Sequence, residues 1–212
     1  MNLPLYILIP IILIATPLFV HYGSQWMDRL YEKRKDILTY PRDIEKRRKY
    51  RKWILALLFF GSEMRLAMTL TEPRGVLILL AVALLLLMTM TDFEQYCLFD
   101  EMMIPFAAGG LIWCLLTPET ALNHGLAALA GGGIFFLLAV LSGGALGGGD
   151  VKLVAVLGLW LGTEHLLSVV CLGMVFGGIV AAILLLLKMK KRKSAFAYGP
   201  YFTLTTVALF LL

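Results

Sequence analysis

Two aspartates carry the chemistry that this chain's residue types offer. Asp150 closes the stretch SGGALGGG, in which five glycines (143, 144, 147, 148 and 149) fill the eight positions before it, and VK follows. Asp92 closes an aliphatic run and opens DFEQYCLFDEMMIP. A carboxylate on the lip of an apolar helix is expensive in a membrane and calls for a functional reason. Two carboxylates held within a few ångströms cannot both ionise easily, so they share a proton. One then acts as a base towards water while the other protonates a leaving group. That pairing hydrolyses an amide bond without a metal, a serine nucleophile or a cofactor. The glycines before Asp150 let the backbone bend tightly and leave room for an extended peptide. Lys152 has two readings: it tunes Asp150 or meets an acidic group, or it snorkels to the interface, which is the commoner role.

No other constellation competes. Cys97, Cys114 and Cys171 form no CxxC pair, and His21, His124 and His165 are equally scattered. Neither a zinc site nor a disulfide framework is visible, and the cysteines read as small packing residues.

The elements that must position the aspartates are membrane spans. Hydrophobic residues make up 60% of the 212 positions and charged ones 16%, and the mean hydropathy is +0.85. That composition belongs to a polytopic membrane protein. Of the 19 lysines and arginines, eleven lie within 21–52 and five within 188–193. Both blocks flank apolar spans, so they read as positive-inside determinants and not as a nucleic-acid surface. The N-terminal MNLPLYILIPIILIATPLFV lacks a basic start and is read as a retained first span.

The expected spans are 3–20, 53–70, 76–91, 104–116, 122–141, 151–162, 166–187 and 196–212, eight in all. Pro4, Pro10 and Pro17 are expected to kink the first span or limit it. The loop 21–52 reads as a basic segment on anionic headgroups, with a short helix around RLYEKRKDIL. Glu63 and Arg65, inside the second span, should face other helices and serve structure. Gly131–Gly133 suit close helix–helix approach. With 21–52 cytoplasmic, both basic blocks and both aspartates fall on the cytoplasmic side. A helix over 151–162 is about 18 Å long, against a hydrocarbon core of about 30 Å. The glycine stretch is therefore expected to dip inward, leaving Asp150 recessed and Asp92 nearer the surface. Two parts follow: 1–75, with two spans around the basic loop, and 76–212, a core carrying both aspartates.

These residues resemble a known family. Gly147-Gly148-Gly149-Asp150 matches the GxGD signature of intramembrane aspartic proteases, and GGGDVKLVAVLGLWLG is similar to the GxGDxK…GxWLG segment of type IV prepilin peptidases. Asp92 matches the family's first aspartate, which opens a loop of the form D-x5-(L/I)-P-D. Asp100 takes the later acidic position, while Phe99 replaces the usual proline. FAYGPYF, 196–202, is similar to the FGP-type element before the last helix.

The resemblance implies an all-α membrane protein with Asp92 and Asp150 catalytic, supported by Gly147, Gly149 and Lys152. The substrates would be prepilin or pseudopilin precursors, cut at the cytoplasmic boundary of a bacterial inner membrane. The lipid bilayer would be a partner and nucleic acid would not. Longer members carry two CxxC pairs in a cytoplasmic zinc loop, whereas 21–52 contains no cysteine. Proteolysis needs no cofactor. S-adenosylmethionine enters only if the family's second activity, N-methylation of the new amino terminus, is present. Two other classes fit some of the same residues. A proton- or ion-coupled transporter would use broken, glycine-rich helices near carboxylates, but no convincing internal repeat is seen. An inactive assembly scaffold would use the glycines only for packing.

Overall fold

The computed structural model describes residues 5–67, 72–143, 146–188 and 196–212, and the regular elements among them are all helical. They are α1 (Leu5–Lys33), the single turn α2 (Ile44–Arg47), α3 (Arg51–Leu66), α4 (Pro73–Gln95), α5 (Asp100–Leu116), α6 (Ala121–Leu141), α7 (Gly148–Leu186) and α8 (Gly199–Leu211). Gly144 of the glycine stretch and four of the five cations in 188–193 lie outside the described residues. So do Pro4 and the end of the expected second span. Helices α4, α6 and α7 are each long and apolar enough to cross a membrane, and the chain is an all-helical membrane protein. Two compact units form, one from Met1–Met102 with Val207–Leu212, the other from Met103–Thr206.

In the first unit, α1 does not stop at the expected residue 20. It runs through Pro10 and Pro17 and on to Lys33. The reason is a helical stripe that continues into the polar segment: Val20, Ser24, Met27, Leu30 and Tyr31 are all buried, at the three-to-four-residue spacing of one face. RLYEK is therefore the tail of a long helix, and the rest of the expected short helix is a single 3-10 turn, Lys35–Ile37. Helix α3 buries a matching stripe, Arg51, Leu55, Phe59, Ser62, Glu63 and Leu66. The Thr16 hydroxyl donates to the Glu63 carboxylate, tying α1 to α3. Arg65 is exposed and donates to the Leu212 carbonyl at 3.1 Å. Glu63 thus faces another helix as expected, whereas Arg65 departs from that expectation by lying exposed near the end of α3. Helix α4 is buried without a break from Leu85 to Asp92, as a central helix must be. Between α1 and α4 the approach is close: a methyl group at Gly23 would lie 2.9 Å from Leu87.

The second unit is built on α6 against α7. At 39 residues, α7 is about 58 Å long by helical rise, nearly twice the thickness of a hydrocarbon core. Gly162 breaks it, with φ 68° and ψ −178°, a conformation essentially restricted to glycine. Two helical segments thus meet where the sequence predicts a boundary between spans. The first packs antiparallel on α6, with Gly158 against the backbone of Ala127 and Ala128 and Gly132 against Ala155. A Cβ at Gly158 would lie 2.4 Å from the Ala128 nitrogen, so no side chain is admitted there. Gly131 and Gly132 fill the close-approach role expected of them, while Gly133 faces open space. The second segment packs on α8, where Gly173 admits the Phe202 ring and Gly177 admits Tyr198 and Tyr201. Gly199-Pro200 does not interrupt the last helix; it begins it, as proline in a first turn does.

Candidate active site

Asp92 and Asp150 lie in different units, and each is held near a helix end by a different device. Asp92 is buried, 5% exposed. Helix α4 does not end at this residue, as its polar follow-on suggests, but continues three residues to Gln95. It stops because Tyr96 turns left-handed, at φ 54° and ψ 42°, and donates its N–H to the Asp92 carbonyl at 2.9 Å. A left-handed residue with a Cβ costs about 1–2 kcal/mol, so something must hold it.

The holding parts come from the basic segment. The Tyr40 ring meets Tyr96 edge-on at 5.3 Å, and the Tyr40 N–H donates to Gln95 Oε1 at 3.0 Å. Arg47 lies 3.3 Å over the Tyr40 ring and donates to the Glu94 carbonyl at 3.2 Å. Arg51, only 2% exposed, grips the Glu94 carboxylate with two nitrogens, Nε at 2.8 Å and Nη2 closer still. Its Nη1 donates to Asp28 at 2.7 Å and to the Ser24 carbonyl at 3.3 Å. The Tyr31 hydroxyl donates to Glu94 at 2.9 Å. Burial, and then the neighbouring Glu94 charge, pushes this hydroxyl far above the usual phenol range, so it stays a donor. Burial works against the Arg51 charge, but the bonds and charge of Glu94 outweigh it and hold the guanidinium protonated.

None of this is a loop lying on headgroups, as composition suggests for 21–52. Part of that segment is packed onto the end of α4. A readable signal exists in hindsight: Arg51 falls on the same helical stripe as Leu55, Phe59 and Ser62, and a cation on a buried stripe demands a carboxylate.

The turn beyond Tyr96 is packed as well. Phe99, standing where the resembled motif has proline, is 1% exposed and lies against the Tyr31 ring at 5.8 Å. Asp100 and Glu101 open α5, where carboxylates suit the positive helix end. Asp100 is exposed, while Glu101 faces Arg34 at 3.4 Å and Lys33 at 3.8 Å. Burial, then the Asp92 charge, pushes the Cys97 thiol up to about 11. A thiol so raised stays protonated at neutral pH and is no nucleophile.

Asp150 sits in the first turn of α7 and is half-buried. The helix starts at Gly148, three residues before the span the sequence predicts, so Gly148 and Gly149 are helical and not part of an irregular loop. Gly147 is the extended residue before it, at φ −69° and ψ 140°, and its carbonyl accepts the Asp150 N–H at 3.0 Å. A Cβ on Gly147 would lie 3.3 Å from Asp150 Oδ2, whereas one on Gly148 would meet nothing within 4 Å. Of that pair it is Gly147 that keeps the carboxylate uncovered. Lys152 is exposed. Beyond it, Leu153, Val154 and Leu157 are fully buried, and Trp160 Nε1 donates to the Phe106 carbonyl at 2.9 Å, anchoring α7 to α5. In the sequence Trp160 is only one letter of a motif; its bond gives the motif a mechanical reason.

Comparison with known proteins bears on this segment. The prepilin leader peptidase/N-methyltransferase of Aeromonas salmonicida (strain A449) is 34% identical over 142 residues, covering 64% of this chain and 49% of the relative. The Aeromonas hydrophila protein of the same name is 32% identical over 155 residues, covering 70% of this chain and 53% of the relative. The chain thus spans about half the length of the curated relatives it matches. No solved structure matches it. Residues 79–182, which include Asp92 and Asp150, match the profile of the type IV leader peptidase family.

Proposed function

We propose that the chain is a membrane aspartic endopeptidase that removes the basic leader of prepilin or pseudopilin precursors. One observation carries the reading: the family-matched segment holds two aspartates, each within one turn of a helix end. One carboxylate takes a proton from water as that water attacks the scissile carbonyl. The other donates its proton to the departing amine. Gly147 keeps Asp150 accessible, and Gly149 and Lys152 complete the motif around it. We further propose the eight-span topology with both aspartates towards the cytoplasm of a bacterial inner membrane. The basic leader would then meet them from that side, with the substrate's apolar helix in the bilayer.

N-methylation, named for the relatives, would need S-adenosylmethionine. The polar segment holds a cavity of about 570 Å³ lined by five basic side chains, Arg51 among them, against Asp28 and Glu45. Cationic walls repel a sulfonium, and no aromatic ring lines the cavity to stack adenine. This cavity does not fit the group, so we propose leader cleavage as the activity and assign N-methylation to no residue. Methyl label appearing on the mature amino terminus would place that second activity elsewhere in the chain.

The test of the main reading is leader cleavage in membranes. Asp92→Asn and Asp150→Asn should each lower the rate by about 10³-fold or more with insertion intact. Wild-type cleavage in either variant would remove that aspartate from the site.

A further inference from the structure

Glu94 follows Asp92 by two residues, so the two side chains leave α4 on different faces. Glu94 is 2% exposed, and its carboxylate accepts from Arg51 Nε, Arg51 Nη2 and the Tyr31 hydroxyl. Its carbonyl accepts from Arg47, and the next residue, Gln95, accepts from the Tyr40 N–H. Every residue in this set belongs to the same compact unit as Asp92. A fully buried bidentate ion pair is a poor device for stability, because desolvating both charges offsets most of their attraction. It is a good device for direction, since the planar guanidinium fixes the carboxylate it grips. What it fixes here is the last turn of α4, the turn whose end is the strained Tyr96 and whose start is Asp92.

We propose that Arg51 is a positioning residue for Asp92, acting through Glu94 to hold the final turn of α4 in register. The proposal rests on the peptidase reading for its kinetic arm only. Arg51 grips the side chain two residues beyond Asp92, and Arg47 and Tyr40 bond the Glu94 carbonyl and the Gln95 side chain of the same turn. Misplacing a catalytic group by about 1 Å costs on the order of 100-fold in rate.

The test uses the full chain in detergent or nanodiscs with a prepilin substrate. Breaking one partner of a buried pair risks unfolding. The main variant is therefore the double Arg51→Met/Glu94→Gln, which removes both charges and leaves Tyr31 an acceptor. Its kcat should fall about 10- to 100-fold with KM unchanged and a near wild-type Tm. Arg51→Lys, which keeps the charge without the fork, should fall between the two. A second readout needs no catalysis. With Cys114→Ala and Cys171→Ala as background, alkylation of Cys97, one residue beyond Tyr96, should speed up several-fold in the double variant. Wild-type kcat in the double variant, or a change in KM alone, overturns the proposal. If the wild-type chain cleaves no prepilin, the peptidase reading fails and the Cys97 arm alone decides. Faster alkylation then supports the clamp, and an unchanged rate overturns it.

Discussion

The ends of α4 and α7 hold the same side chain by opposite means. At Asp92 a helix C-terminus is buried and clamped by charge, with partners drawn from residues 28, 31, 40, 47 and 51. At Asp150 a helix N-terminus is kept open by what is missing, a Cβ at Gly147, and is backed by glycine packing of α7 on α6. The first device is polar and long-range in sequence. The second is steric and local. The lesson is that equivalent-looking aspartates are exposed to different classes of mutation: charge removal should disturb one, and added volume the other.

That contrast can be broken at several points. The largest effect belongs to Gly158→Leu, because a Cβ there would meet the Ala127 and Ala128 backbone at 2.4 to 2.6 Å. Overpacking of this kind should cost about 3 kcal/mol, read as a fall in detergent Tm. A fully stable variant would show that α6 and α7 are not pressed together as described. Gly147→Val should leave Tm nearly unchanged and lower leader cleavage about 10-fold or more, because its side chain crowds the Asp150 carboxylate. If cleavage stayed at the wild-type rate, the steric half of the contrast would fail.

On the charged side, Arg47→Leu removes the stack on Tyr40 and the bond to the Glu94 carbonyl, and should cost about 1 kcal/mol in chemical denaturation. No change would leave Arg51, with the Tyr31 and Tyr40 bonds, as the clamp. The smallest effect is in a pH profile. With its thiol pushed up to about 11, Cys97 is neutral below that pH. Its alkylation should therefore keep rising with pH to about 11, whereas an ordinary thiol levels off above about 8.5. A plateau near pH 8.5 would mean that the turn after Asp92 is more open than its packing against Tyr31 implies.

Legibility followed the same division. Asp150 announces itself because GGGD and the apolar helix after it are contiguous, and the break in α7 falls where the apolar run gives way to polar residues just beyond Gly162. Asp92 announces its presence, but nothing nearby in the chain tells how it is held. Arg51 looks like one of eleven cations in a basic segment, and Glu94 looks like loop polarity. Helix ends depart from the apolar runs for a related reason. The expected spans end at 20 and 91 and begin at 151 because apolar residues stop or start there, whereas helices end where hydrogen bonding or geometry ends them. Thus α1 runs on as an amphipathic stripe, α4 runs on to Tyr96, and α7 starts at Gly148.

The amino-acid sequence by itself determined the helical membrane class, the two aspartates and the glycines beside one of them. Hydropathy, charge runs and residues lacking a Cβ act locally and can be read in order. Only the tertiary structure decided which of many like charges is buried. A desolvated guanidinium is tolerable solely where a carboxylate meets it, and that partner lies 43 residues away.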